Sequence, residues 1–198
     1  MATFLEGVGA VAMACTLVIG LPTLAIALAA GRRAPWVVAG SVPATGLVMW
    51  AKAAGVWNVA GEGWLVVPIA VLIAGAFVAA WRSDSLSAPA AVGVGALGGG
   101  IAGWLWRPCV GEQLALVLND AETDALSSIP RMLAYTSGAL LPTILLAALP
   151  FAWPRLAPVL THRRLATGGL AFGGLYALTV ISGRYNDLVG ELFRISST

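Results

Sequence analysis

The sequence predicts an all-α membrane protein: six transmembrane helices in two inverted three-helix repeats, with helices 1 and 4 broken near the cysteines. Three observations carry this expectation. Of the 198 residues, 59% are hydrophobic and only 10% charged. A soluble domain carries about 25% charged residues, so polar groups are too few to cover a water-facing globule. Six stretches approach the roughly 20 mostly apolar residues that a membrane span needs. The only two cysteines fall in the first span of each half. A mean hydropathy of +0.89 agrees.

The spans follow in order. The first runs from about Glu6 to Ala30, the second from Trp36 to Trp57 and the third from Gly63 to Trp81. The fourth begins at Ala88 and continues past Trp106, through Arg107-Pro108-Cys109, to about Leu118. The fifth is Met132–Trp153 and the sixth Leu165–Ser182. Residues 1–198 then form one transmembrane domain, with repeat 1 over about 1–85 and repeat 2 over about 86–198. Three spans per half invert the halves relative to one another. Each second span carries a Ser and a Pro-containing turn, Ser41-Val42-Pro43 and Ser137 with Pro142-Thr143. Inverted repeats place the working site near the midplane, on helices interrupted by Gly or Pro.

Charge orients the bundle. Met1–Gly9 holds Glu6 and no Lys or Arg, so it reads as a reverse anchor rather than a cleaved signal peptide. With both termini outside, the inner loops hold Arg32, Arg33, Arg82, Arg155, Arg163 and Arg164 against one acid, Asp84. Arg131, Arg184 and Arg194 lie near outer span ends, so the bias is modest, and it fits a bacterial-type inner membrane protein with multiple passes. Trp36, Trp57, Trp64, Trp81 and Trp153 fall at span ends, where an amphipathic ring prefers to sit. Lys52, near the outer end of the second span, is expected to snorkel outward. A net charge of +2 without a basic block points away from nucleic acid and leaves the lipid bilayer as the surrounding partner.

Candidate chemistry centres on the cysteines. Pro108 and Gly111 flank Cys109, and proline removes a backbone donor and clashes with the preceding turn, so the fourth helix should open there. Gly20 and Pro22 are expected to do the same, more weakly, below Cys15. Broken backbone at membrane depth is tolerated only beside protein or a watery cavity, so both thiols could face one interior cavity. Packed, inert cysteines are the plain alternative. Arg107 and Glu112 lie in the same apolar stretch, where a charge costs roughly 2.5–3.5 kcal/mol; a guanidinium there favours the thiolate that attacks disulfides. A second reading of these charges makes Val110–Asp124 an outer amphipathic segment. His162 is the only histidine and sits beside Arg163 and Arg164. No conventional zinc or haem site can be assembled from it and two separated cysteines, so no metal and no cofactor is expected. Gly93-Val94-Gly95 and Gly98-Gly99-Gly100 suit close helix contacts.

At Trp106-Arg107-Pro108-Cys109-Val110-Gly111 the chain resembles the CcdA/DsbD family of transmembrane thiol–disulfide reductases, including CcdA-like cytochrome c biogenesis proteins, whose second motif reads roughly W-x-P-C-x-G-P. The likeness extends through Ala134-Tyr135-Thr136-Ser137-Gly138, similar to the family's A-Y-x-x-G pattern, with Pro142 following. It covers the whole chain in span count and cysteine placement, and residue motifs only at about 104–145. The resemblance implies that Cys15 and Cys109 are the redox pair and that Pro108 and Gly111 shape the helix break. It also implies that the pair takes electrons from cytoplasmic thioredoxin. The acceptor would be an extracytoplasmic thioredoxin-like or haem-maturation protein. The chain departs from the pattern at Ala14 and Val18, where the first motif has prolines, and at Arg107 and Glu112. Those departures point towards diverged relatives such as MauF-like proteins. Two other readings stand beside the conduit: a transporter for a small solute or soft metal ion, to which thiolates are suited, and a non-redox assembly subunit.

Overall fold

A computed structural model describes residues 2–55, 66–82, 87–106, 119, 125–153, 163–185, 187, 190, 191 and 194. Among them all regular structure is helical. The helices are α1 (Ala2–Gly9), α2 (Ala14–Ala30), α3 (Ala34–Ala53), α4 (Val66–Trp81), α5 (Ala88–Leu105), α6 (Ala125–Ala139), α7 (Leu141–Ala152) and α8 (Arg163–Ile181). Thr16–Ala53, Ala88–Leu105 and Arg163–Ile181 are long and apolar enough to cross a membrane; the bent pair α6–α7 makes up to four such segments. Pro68–Trp81 is a shorter apolar helix.

Within Thr16–Ala53 the chain reverses. Gly31 takes φ +52°, a conformation L side chains rarely adopt, and a short 3₁₀ turn follows over Gly31–Arg33. Consequently α2 and α3 meet α5 in opposite senses. On α3, Val37, Ser41 and Thr45 face Gly95, Gly99 and Gly103, a parallel register. On α2, Ile26 lies on Gly98 and Pro22 lines one cavity with Ala102, an antiparallel register. The same reasoning makes α6–α7 antiparallel to α3: Gly46 meets Thr136 and Trp50 donates to Ser128 at 3.1 Å. Helix α8 runs antiparallel to α2, with Gly169 on Ala25 and Ala29 and Tyr176 beside the cavity that Pro22 lines, and antiparallel to α4, with Gly173 on Phe77 and Arg163 over Trp81.

The α3–α5 contact is the tightest. A methyl added at Gly95, Gly99 or Gly103 would overlap the carbonyls of Val37, Ser41 or Thr45. Four-residue spacing puts those glycines on one face, and small residues let backbones approach where lipid supplies no hydrophobic drive. Thr45 uses the proximity, its hydroxyl contacting the carbonyls of Ser41 at 2.8 Å and Gly99 at 2.9 Å. Gly98 belongs to the same run but packs on Ile26 of α2, while Gly93 faces open space.

Two expectations about helix breaks change. The first helical stretch is interrupted over Ala10–Met13, not at Gly20 or Pro22, and Met13 is extended at φ −73°, ψ 145°. Both Gly20 and Pro22 stay inside α2. The Thr23 hydroxyl donates towards Ile19 O and Gly20 O, at 2.8 and 2.9 Å, and buried Pro22 is held by neighbouring helices, the condition under which a span tolerates proline. Nor is α1 an extension of α2: Gly7 packs on the backbone of Tyr135 and Ala139, and Gly138 on that of Phe4 and Val8. Straight continuation would carry Gly7 about 12 Å beyond Cys15, whereas Tyr135 and Ala139 lie level with the middle of α3. The chain therefore folds back at Ala10–Met13. Between α6 and α7 the axis bends by 65° at Leu140. Pro142, at the start of α7, has no N–H for the Gly138 carbonyl.

Candidate functional site

The backbone of Cys15 holds the second position of α2, directly after the extended Met13. Arg107, Pro108, Cys109, Gly111 and Glu112 lie outside the described residues, as does His162. What the structure fixes is the frame on either side of them. Helix α5 ends at Leu105, and Trp106 turns extended at φ −61°, ψ 134°, two residues before Pro108. Because α2 and α5 are antiparallel, the start of α2 and the end of α5 lie at the same end of the bundle.

The end of α5 is held by side chains from two other elements. The last carbonyls of a helix have no partner within it. Here Lys52, in the last turn of α3, donates to Trp104 O at 2.7 Å and Trp106 O at 2.8 Å. The Tyr185 hydroxyl, just beyond α8, donates to Leu105 O at 2.6 Å. An ammonium at a helix C-terminus also opposes the negative end of the helix dipole. Lys52 was expected to snorkel outward; it caps α5 instead, because the parallel α3–α5 packing sets its stem beside that terminus. Trp106 is itself buried, 2% exposed, so the polypeptide leaves α5 from a packed position.

Sequence reasoning missed both capping residues. Lys52 is the only lysine in the chain, and a lone charge in an apolar span end was the available signal. Tyr185 carried none.

Pro22, Phe77, Gly98, Ile101 and Tyr176 surround a cavity of only about 20 Å³, roughly one water-sized probe. Tyr176 is 6% exposed, and its hydroxyl has no hydrogen-bond partner among the described residues. Its ring meets Tyr185 edge-on at 6.2 Å. Among the described residues no group of three His, Cys, Asp or Glu side chains could hold a metal ion. The Pro142 bend lies on α6–α7, away from this cavity.

Basic side chains lie at both ends, with Lys52, Arg131 and Arg184 towards the end that holds Cys15. Arg32 and Arg33 at the α2–α3 turn, Arg82 after α4, and Arg163 and Arg164 at the start of α8 gather at one end. Arg163 sits over the Trp81 ring at 5.8 Å. Cys15, Lys52 and Tyr185 mark the opposite end. The rest of α2, Thr16–Ala30, about 24 Å of helix, separates Cys15 from the arginine turn. Cys15 thus stands near one end of its helix and not at its middle.

Apolar helices of these lengths define the chain as an α-helical protein suited to multiple membrane passes. No protein-family model, curated protein or solved structure matches it.

Proposed function

We propose that this protein carries reducing equivalents across a membrane by thiol–disulfide exchange, with Cys15 and Cys109 as the exchanging pair. The observation that carries the reading is the register of α2 against α5. Ile26 lies on Gly98, and Pro22 shares a cavity with Ala102. That antiparallel run puts Cys15, at the start of α2, at the same end of the bundle as Leu105, the last residue of α5. The interruption at Ala10–Met13 and the end of α5 at Leu105 put a helix terminus beside each cysteine in the sequence. The CcdA/DsbD-like residues around Cys109 agree with this.

The proposed architecture is six spans in inverted halves: α2, α3 and α4, then α5, α6–α7 and α8. Its support is that each corresponding pair (α2 with α5, α3 with α6–α7, α4 with α8) runs antiparallel. Arg32, Arg33, Arg82, Arg163 and Arg164 mark the cytoplasmic end, in an inner-membrane setting. Cytoplasmic thioredoxin is the proposed donor, and a thioredoxin-like or haem-maturation protein outside is the proposed acceptor.

In each half-reaction a thiolate attacks one disulfide sulfur, the other sulfur leaves as thiolate, and a mixed disulfide is the intermediate. Thioredoxin dithiol reduces Cys15–Cys109 and becomes a disulfide; the resulting dithiol then reduces the external partner and regains its own disulfide. Two electrons move in each exchange, and two protons follow the thiols. With the arginines inside, the cysteine end faces outward, the arrangement that serves the external partner. Reduction by thioredoxin requires rearrangement of the halves about the site.

Thiol trapping in cells tests the reading. A membrane-permeant maleimide should find both thiols free when thioredoxin is present and a Cys15–Cys109 disulfide accumulating when it is absent. Two thiols that stay free in every condition would end the redox reading.

A further inference from the structure

Between α3 and α7 runs an open groove of about 430 Å³ that the redox reading does not use. Pro35, Ala39 and Pro43 line one side, and Ile144, Ala147 and Ala148 the other. No lining residue is polar or charged. From Pro35 to Pro43 the groove follows α3 for about 12 Å, close to the depth of one leaflet, half of a ~30 Å hydrocarbon core. It begins at the arginine end. Arg32, which is exposed, and Arg33 lie in the turn that leads into α3, three and two residues before Pro35. Trp36, 46% exposed, marks the level where an indole meets the membrane–water interface.

An apolar furrow of leaflet depth beneath two cations matches one occupant by shape and by charge. We propose that this groove binds one anionic phospholipid, its acyl chain along α3 and α7 and its headgroup against Arg32 and Arg33. Guanidinium groups contact phosphate oxygens through paired hydrogen bonds, and basic sites beside spanning helices favour anionic over zwitterionic headgroups. The inference depends on the membrane setting and is independent of the cysteine chemistry.

The test uses the intact protein in detergent, titrated with phosphatidylglycerol or phosphatidylcholine of matched chains. Native mass spectrometry reads the lipid retained. One phosphatidylglycerol per chain should be held, about tenfold more tightly than phosphatidylcholine. The double change Arg32→Gln with Arg33→Gln should abolish the preference. Ala39→Phe, at an exposed position that fills the furrow, should reduce retention of both lipids. Arg163→Gln with Arg164→Gln removes equal charge from the same end, but on α8, and should leave the preference intact. Equal retention of the two lipids by the unaltered protein would overturn the proposal. So would an equal loss of preference from the α8 pair, which would mean a diffuse field and no built site.

Discussion

At the scale of single residues, Lys52 and Gly99 matter most to the frame. Lys52 satisfies two carbonyls that α5 cannot satisfy itself. Replacing it with Met keeps the stem and removes the donor, leaving part-buried acceptors that cost about 1–3 kcal/mol. Thermal unfolding in detergent should show that loss, with partial recovery in Lys52→Arg, which keeps a charged donor. No recovery by Arg would contradict the capping role. At Gly99 any Cβ meets the Ser41 carbonyl, backbone that can yield only if α3 and α5 separate. Gly99→Ala should therefore destabilise by about 1–3 kcal/mol, whereas Gly93→Ala, with open space around it, should be nearly neutral. Thr45 joins the same contact, and Thr45→Val should cost about 0.6–2 kcal/mol for its lost interhelical hydrogen bond.

The element scale shows what the sequence makes legible and what it hides. The reach of α3, α4 and α8 follows from apolar length alone, close to the stretches beginning at Trp36, Gly63 and Leu165. Glycines spaced at 95, 99 and 103 announce a close helix contact, because only a helix puts every fourth residue on one face. The return of α1 is not legible. Gly7–Ala14 is a run of small apolar residues with no proline or charge to mark a break, and only the mutual fit of Gly7 with Gly138 reveals it. Proline was an unreliable guide: Pro22 and Pro43 lie within continuous helices while Pro142 stands at a 65° bend. The difference lies in the neighbours: Pro22 is buried among packed helices, whereas Pro142 follows Leu140, where α6 has already stopped. Removing the ring with Pro142→Ala restores an N–H for Gly138. The bend should narrow, measured as a longer spin-label distance between positions flanking Leu140. An unchanged distance would place the cause of the bend elsewhere.

At the scale of the whole molecule, alternating helix directions give the bundle two ends, with Arg32, Arg33, Arg82, Arg163 and Arg164 at one and Cys15, Lys52 and Tyr185 at the other. The frame that holds the end of α5 is not legible in the sequence, since Lys52 and Tyr185 reach it from 52 and 80 residues away, a separation that no local pattern encodes. If the arginine end is cytoplasmic, Cys15 stands towards the outer face. An impermeant maleimide added outside intact cells should then label Cys15 in the reduced protein, and Cys109→Ser should not prevent it. Labelling only from the cytoplasmic side would reverse the orientation.

The central claim is that Cys15 and Cys109 act as one two-electron couple. Its most direct test is a redox titration of the purified protein in graded glutathione buffers, counting free thiols by the mass added on maleimide reaction. Species with both thiols free or neither are expected, exchanging in a single transition that either Cys15→Ser or Cys109→Ser abolishes. Two thiols that titrate independently, or stay free at every potential, would contradict it.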